Sequence, residues 1–235
     1  MLPWILLDTA AIPGGGELRL KQRGTEFSIM LGAIELMNSR ISASEEALAT
    51  LACARIRSRP QPRLLVGGLG MGFTLRAALQ ELPSDARVVV AELVPAVVRW
   101  AKGPMAELHG SSLTDPRVSI HDGDVGDLIR AELASYDAIL LDVDNGPEGL
   151  SREANDRLYD LSGLAAVRAA LVPGGVLAVW SSAPNQAFTG RLRRAGFDVE
   201  EVGVRAKGVR GGSRHVLWLA TNPGIRRGER SRSCS

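Results

Sequence analysis

A chain of 235 residues suits one folded domain with at most a small extension, and 45% apolar content is ordinary for a packed globular protein. Net charge is only +2, and residues 224–235 set Arg226, Arg227, Arg230 and Arg232 against Glu229, so the body is near neutral and offers no basic field for nucleic acid. Cys53 and Cys234 fit neither disulfide nor metal spacing, no apolar run approaches membrane-spanning length, and Leu2 to Leu7 meets Asp8 too soon to be a signal core; a cytoplasmic setting without membrane contact is expected.

In chain order, short strands are expected at Trp4 to Leu7, Glu17 to Lys21, Glu26 to Leu31 and Ile34 to Met37, with Gly14-Gly15-Gly16 as a turn. Such a unit has no room for its own core and must pack on something. Ser44 to Arg57 reads as a helix, capped by Ser42 or Ser44, with Glu45 and Glu46 in a first turn that favours acids. From Arg63 the pattern alternates: strands at 63–67, 87–92, 117–121, 136–142 and 175–180, helices near 73–82, 95–108, 124–133, 155–171 and 185–195. The strands are nearly continuous apolar runs, as in Ala138 to Leu141, so they are buried on both faces of a parallel sheet. Phe197 to Val204 and Arg214 to Ala220 have no helix between them and close the sheet as an antiparallel hairpin. The expected division is a small β extension over 1–42, a nucleoside-binding Rossmann-like domain over 43–221 and a basic disordered tail over 222–235.

The strand Leu64 to Gly67 runs into Gly68-Leu69-Gly70-Met71-Gly72, then a helix, then a second strand ending at Glu92. Glycines let the backbone turn sharply and approach a ligand, and a strand-end acid can accept hydrogen bonds from ribose hydroxyls. Phe73 stands where a dinucleotide fingerprint has its third glycine, which favours a nucleoside without a pyrophosphate, such as an S-adenosylmethionine-type ligand. Ligands bind beyond the carboxyl ends of such strands. There the sequence also places Gly123-Asp124 and Asp142-Val143-Asp144-Asn145. Glu92 and Asp124 could each cap a helix instead, and Asp142 and Asp144 could stabilise a turn at Asn145-Gly146. Otherwise Glu92 is an acid facing a cleft, outside the core. His215 reads as a packed strand residue, and His109 and His121 carry no pattern. Two carboxylates beside a sulfonium have a use, because an attacking amine is protonated at neutral pH and must lose that proton; no metal is called for.

These residues resemble the polyamine aminopropyltransferases, the spermidine-synthase-like branch of the class I S-adenosylmethionine-dependent methyltransferase fold. Gly68 to Arg76 is similar to the family's G-G-G-D-G-G-T-L-R, Asp115-Pro116-Arg117-Val118 to its D-P-R-V, and Gly123-Asp124 to its G-D pair. Tyr136-Asp137 through Asp142, then Leu158-Tyr159 through Pro173-Gly174-Gly175-Val176-Leu177, follow its later motifs. The resemblance implies an α/β, Rossmann-like fold with a mostly parallel seven-stranded sheet, a terminal antiparallel hairpin and a small N-terminal β extension. It implies decarboxylated S-adenosylmethionine, or S-adenosylmethionine, as co-substrate, held by Gly68, Gly70, Gly72, Glu92 at the ribose, and Gly123 with Asp124 at the adenine N6. Asp142 would orient and deprotonate a small amine or polyamine, Asp144 would assist, and Glu46, Asn145 and Tyr159 would contact that substrate, in a monomer or homodimer. Three departures stand out. Met71 replaces the family's loop acid, the D-x-x-D reads Asp142-Val143-Asp144-Asn145, and the Y-H-E gate reads Ser44-Glu45-Glu46. Two alternative readings share the fold: a small-molecule methyltransferase, which Met71 favours, and a nucleoside-binding protein without catalysis.

Overall fold

The structure is a computed structural model and describes residues 2–142 and 157–224. An antiparallel meander comes first, with β1 (Ile5–Ala11), β2 (Glu17–Arg23), β3 (Glu26–Leu31) and β4 (Ile34–Asn38) in that order. Helix α1 (Ala43–Cys53) follows and leads into a second sheet. That sheet alternates β5 (Arg63–Gly67), α2 (Phe73–Glu81), β6 (Arg87–Glu92), α3 (Pro95–Lys102), α4 (Ala106–His109), β7 (Val118–Asp122), α5 (Val125–Ala131) and β8 (Tyr136–Leu141). After the described chain resumes come α6 (Leu161–Ala170), β9 (Leu171–Ser181), α7 (Gln186–Arg194), β10 (Asp198–Arg205) and β11 (Arg214–Thr221).

The seven strands lie in the order β10-β11-β9-β8-β5-β6-β7. β7, β6, β5, β8 and β9 pair in parallel, and β11 runs against β9 and β10. The chain winds outward from β5 in one direction and, from β8 on, in the other. The β5–β8 boundary is therefore the switch point, where the two crossovers leave a crevice above the strand ends.

Both faces of this sheet are covered, as the unbroken apolar strands require. On β5, Leu64 and Val66 join one buried cluster with α1, α2 and α3, while Leu65 points into another with α5, α6 and α7. β8 divides in the same way, with Ala138 and Leu140 on the first face and Ile139 and Leu141 on the second. The meander builds no separate core. Its Leu18, Leu20, Phe27 and Ile29 are buried in the first cluster, and the Trp100 indole N–H on α3 donates to Asp8 Oδ2 at 2.7 Å.

Local chemistry moves several boundaries. The helix expected over 95–108 is two helices, because Pro104 has no N–H and its ring would strike the carbonyl one turn back; Met105 N reaches Trp100 O instead, at 2.9 Å. The helix expected over 155–171 is present at residues 157–159, is interrupted at Asp160 and resumes as α6 from Leu161, where the Asp160 carboxylate caps it by accepting from Gly163 N at 2.7 Å; residues 155 and 156 lie outside the described chain. Neither serine caps α1: Ser42 occupies the cap position without a side-chain bond, and the Ser44 hydroxyl turns to Glu45. Residues 222–224 are part of the body. Asn222 is 6% exposed and donates to the carbonyls of Arg168, Leu171 and Val172. The remainder of the expected tail, 225–235, lies outside the described residues. Among the described residues no helix is long and apolar enough to cross a membrane.

Candidate active site

One cavity opens at the switch point. The glycine loop Gly68 to Gly72, Glu92, Gly123, Asp124 and Asp142 line it from the sheet, and Ile29, Leu31, Leu36 and Met37 cover it from the meander. Seven of the sequence-expected positions thus meet in one place although they come from the ends of four strands.

The loop is built around two glycines. Gly70 has φ +48 and a Cβ there would lie 2.9 Å from Met37 Sδ; Gly72 has φ +74 and a Cβ would lie 2.4 Å from His109 Nδ1. A side chain at either position meets both a left-handed backbone and an occupied neighbour. Glu92 then fixes the loop from behind. Its Oε2 accepts from Leu69 N at 2.9 Å and its Oε1 from Val94 N at 2.8 Å. At 7% exposure its carboxyl is raised above the usual range by burial, with the backbone N–H bonds opposing that shift. Glu92 is therefore buried, contrary to the reading of it as an acid outside the core. Glu92→Ala is expected to lower the melting temperature through two orphaned backbone N–H groups, a cost of about 1–3 kcal/mol. It is also expected to weaken methylthioadenosine by a similar amount. Thermal unfolding and calorimetric titration check the two parts separately: an unchanged melting temperature removes the clamp, and an unchanged affinity removes the ribose contact.

Asp124 caps α5, with Oδ1 accepting from Gly126 N at 2.7 Å, and also lines the cavity. The helix cap and the ligand position coexist in one carboxylate with two oxygens. Gly123 N donates to Glu92 O at 2.9 Å, which ties the third strand end to the second.

The cavity floor is acidic. Asp142 follows β8, and its Oδ2 accepts from Thr74 Oγ1, near the start of α2, at 3.0 Å. Burial, then the nearby Glu45, push its carboxyl up to about 7, while the Thr74 bond opposes them. Glu45 is itself raised, mainly by burial and further by Glu46. Glu45 lines the cavity, whereas Glu46 is exposed and not part of the lining. The lining acid on α1 is thus Glu45 and not the expected Glu46, because consecutive helical positions differ by about 100° around the axis. Tyr159 is also elsewhere. It is 2% exposed in the second core cluster, edge-on to Phe188 with ring centroids 5.5 Å apart. Asp144 and Asn145 lie outside the described residues. Met71 is 3% exposed and lines the cavity where the resemblance has an acid.

Sequence reasoning missed three lining or supporting groups. Trp180, at the end of β9, lines the cavity with a buried indole N–H that has no partner among the described residues. Thr74 orients Asp142, and its only sequence signal was its place in the T-L-R run. His109 is 1% exposed behind the glycine loop, and burial, then Arg76, depress its imidazole to about 4, so it is neutral. No spacing pattern marks His109, since its partner residue lies 37 positions away in sequence only by virtue of the fold. Among the described residues no cluster of three or more His, Cys, Asp or Glu has metal-ligand geometry.

Comparison with known proteins places this geometry. Residues 42–187, more than half of the chain, match the family model described as the spermine/spermidine synthase domain. Polyamine aminopropyltransferase 1 of Streptomyces coelicolor is 32% identical over 130 residues, which are 54% of this chain and 23% of that protein. Putrescine N-methyltransferase 2 of Nicotiana attenuata is 34% identical over 123 residues, 51% of this chain and 31% of that protein. The chain thus spans a third or less of these curated relatives. In fold it is similar to a spermidine synthase from Thermotoga maritima, with TM-score 0.72 and 16% identity over 94% of this chain and 74% of that one.

Proposed function

Because the chain belongs to the spermine/spermidine synthase family, we propose that it transfers the aminopropyl group of decarboxylated S-adenosylmethionine to a small amine. The observation that carries this reading is the acidic floor, Asp142 with Glu45, set directly below a glycine loop clamped by an acid. The cradle fits a nucleoside. Close backbone approach is available at Gly68 to Gly72, and Glu92 and Asp124 stand at the second and third strand ends. The covering side chains Leu31, Leu36 and Met37 exclude water from an electrostatic site, which strengthens each interaction inside.

The co-substrate, when bound, supplies a carbon already attached to a sulfonium leaving group. The remaining work falls to the chain. Paired carboxylates attract an ammonium and hold its nitrogen in line, and positioning of this kind accounts for much of the barrier reduction in two-substrate reactions. Asp142, poised near 7, takes the proton that the amine must lose before its lone pair can attack. The C–N bond then forms as the C–S bond breaks. The thioether leaves neutral, and the proton rests on Asp142.

Met71 favours a second reading, methyl transfer from S-adenosylmethionine, because an apolar side chain gives no counter-charge to an aminopropyl ammonium. The test is calorimetric titration with methylthioadenosine, S-adenosylmethionine and its decarboxylated form, followed by product analysis with putrescine. Preference for the decarboxylated donor and formation of an aminopropylated amine support the first reading. Preference for the carboxylated donor with a methylated product supports the second. Nucleoside binding without product from either donor leaves a binding protein.

A further inference from the structure

Strand order divides the cavity into two halves. The strands run β9-β8-β5-β6-β7, so the ends of β6 and β7, beside Glu92 and Asp124, lie on one side of the glycine loop, and the ends of β8 and β9 lie on the other. At roughly 4.8 Å per strand, the end of β9 stands about 14 Å from that of β6. The second half is lined by Asp142 after β8, Glu45 from α1 and Trp180 near the end of β9. Trp180 is 8% exposed, and the His215 ring packs against it at 73°, with centroids 4.7 Å apart.

The supply of charge in this half is small. Among the described residues four acids line the cavity, and two of them, Glu92 and Asp124, stand in the other half. Both Glu92 oxygens accept from backbone N–H groups, and Asp124 caps α5. That leaves Asp142 and Glu45. Glu45 acts on Asp142 electrostatically, so the two form one acid pair rather than two separated anions, and burial opposes charge on both. The donor brings a sulfonium and, on the aminopropyl reading, an ammonium to the same pair. Met71 adds no counter-charge. Trp180 offers a ring and an N–H, and an indole N–H only donates, so it accepts no hydrogen bond from an ammonium. The covering Leu31, Leu36 and Met37 are apolar. A second ammonium at the far end of an acceptor would be buried without an anion, at a cost. An apolar end gains from the same burial.

Building on the transfer reading above, we infer that the acceptor is a primary monoamine with an apolar body, and that Trp180 selects it against diamines and polyamines. The single ammonium meets the Asp142–Glu45 pair, and the body lies against Trp180 under the apolar cover. The amine nitrogen bonds to the propyl carbon as the C–S bond breaks. Methylthioadenosine leaves neutral, and the amine's proton goes to Asp142. The product is a secondary amine.

Pentylamine and 1,5-diaminopentane separate the two chemistries, since they differ only in the second amine. Each is titrated calorimetrically into the methylthioadenosine-loaded protein and, in parallel, followed for product with decarboxylated S-adenosylmethionine and with S-adenosylmethionine. Pentylamine should be favoured roughly 10- to 100-fold in affinity and in kcat/KM. Trp180→Gln places a hydrogen-bond acceptor at the wall. It should narrow that ratio severalfold, chiefly through KM, and leave methylthioadenosine affinity unchanged, because the ribose end lies three strands away. Trp180→Phe keeps an apolar ring and should keep the wild-type ratio. The wild-type comparison stands whether or not Trp180→Gln folds. A diamine that matches or exceeds pentylamine overturns the inference, the ring face then holding a second cation. Binding of neither amine overturns it too, as does an unchanged ratio in a Trp180→Gln protein that still binds methylthioadenosine. Preferred binding of pentylamine without product from either donor counts against the transfer reading and leaves the monoamine site standing.

Discussion

Asp142→Asn should abolish turnover and at the same time make the ligand-free protein more stable above neutral pH. The amide keeps the size and can still accept from Thr74 Oγ1, now 3.0 Å from the carboxylate, but it neither carries charge nor takes up a proton. Loss of a general base typically costs on the order of 100- to 10,000-fold in rate. The stability gain follows from the raised carboxyl, about 7 in the fold against 3.8 for an unperturbed aspartate. Below the unfolded value both states hold the proton and Asp142 costs nothing. Between roughly pH 4 and pH 7 the unfolded state releases its proton first, so folding loses stability as pH rises. Above pH 7 the loss is complete, and at most about 4 kcal/mol. The variant should therefore match wild type near pH 4 and exceed it increasingly up to pH 7, by thermal or denaturant unfolding. The difference between the two proteins isolates Asp142 from His109, which acts in the opposite direction. Its depressed imidazole costs stability as pH falls from 6.5 toward 4. A variant no more stable than wild type at pH 8 would mean that the floor is well solvated. Near-native turnover would remove Asp142 as the base.

Gly72→Ala should destabilise the fold by about 2–4 kcal/mol, combining a left-handed backbone with overpacking. The new Cβ would lie 2.4 Å from His109 Nδ1, and the ring cannot retreat easily, being 1% exposed. A double-mutant cycle with His109→Ala separates the two parts. With the ring removed, Gly72→Ala should cost only the backbone term of about 1–2 kcal/mol. The remainder appears as coupling between residues 72 and 109. Strict additivity would show that the loop moves away from the ring instead. The same pair has a functional readout, since the loop that His109 supports also lines the cavity: nucleoside affinity should fall with Gly72→Ala and partly recover in the double mutant.

Most of the sheet was legible because its strands are buried on both faces and announce themselves as apolar runs between turn residues. Leu64 to Gly67, Arg87 to Glu92 and Tyr136 to Leu141 are where the sequence puts them, and the positions expected to hold a nucleoside line one cavity at their ends. The family motifs carried the identity of the fold, and the hairpin β10–β11 followed from two strand patterns without a helix between them. What failed was local. Pro104 split a helix whose periodicity looked continuous, Asp160 interrupted another between Tyr159 and Leu161, and Asn222 drew three residues of the tail into the body.

By itself the sequence determined which strand ends bear glycines and acids, because those are properties of single positions within a strongly periodic pattern. Only the tertiary structure decided which side chains meet there. Glu45 rather than Glu46 reaches the floor because the roll of α1 against α2 and β9 is set by packing, not by the chain's own order. Tyr159 goes to the other face of the sheet for the same reason, where Phe188 receives it. His109 had no signal in the sequence, since a lone histidine acquires a role only from what burial and topology bring beside it, here Gly72.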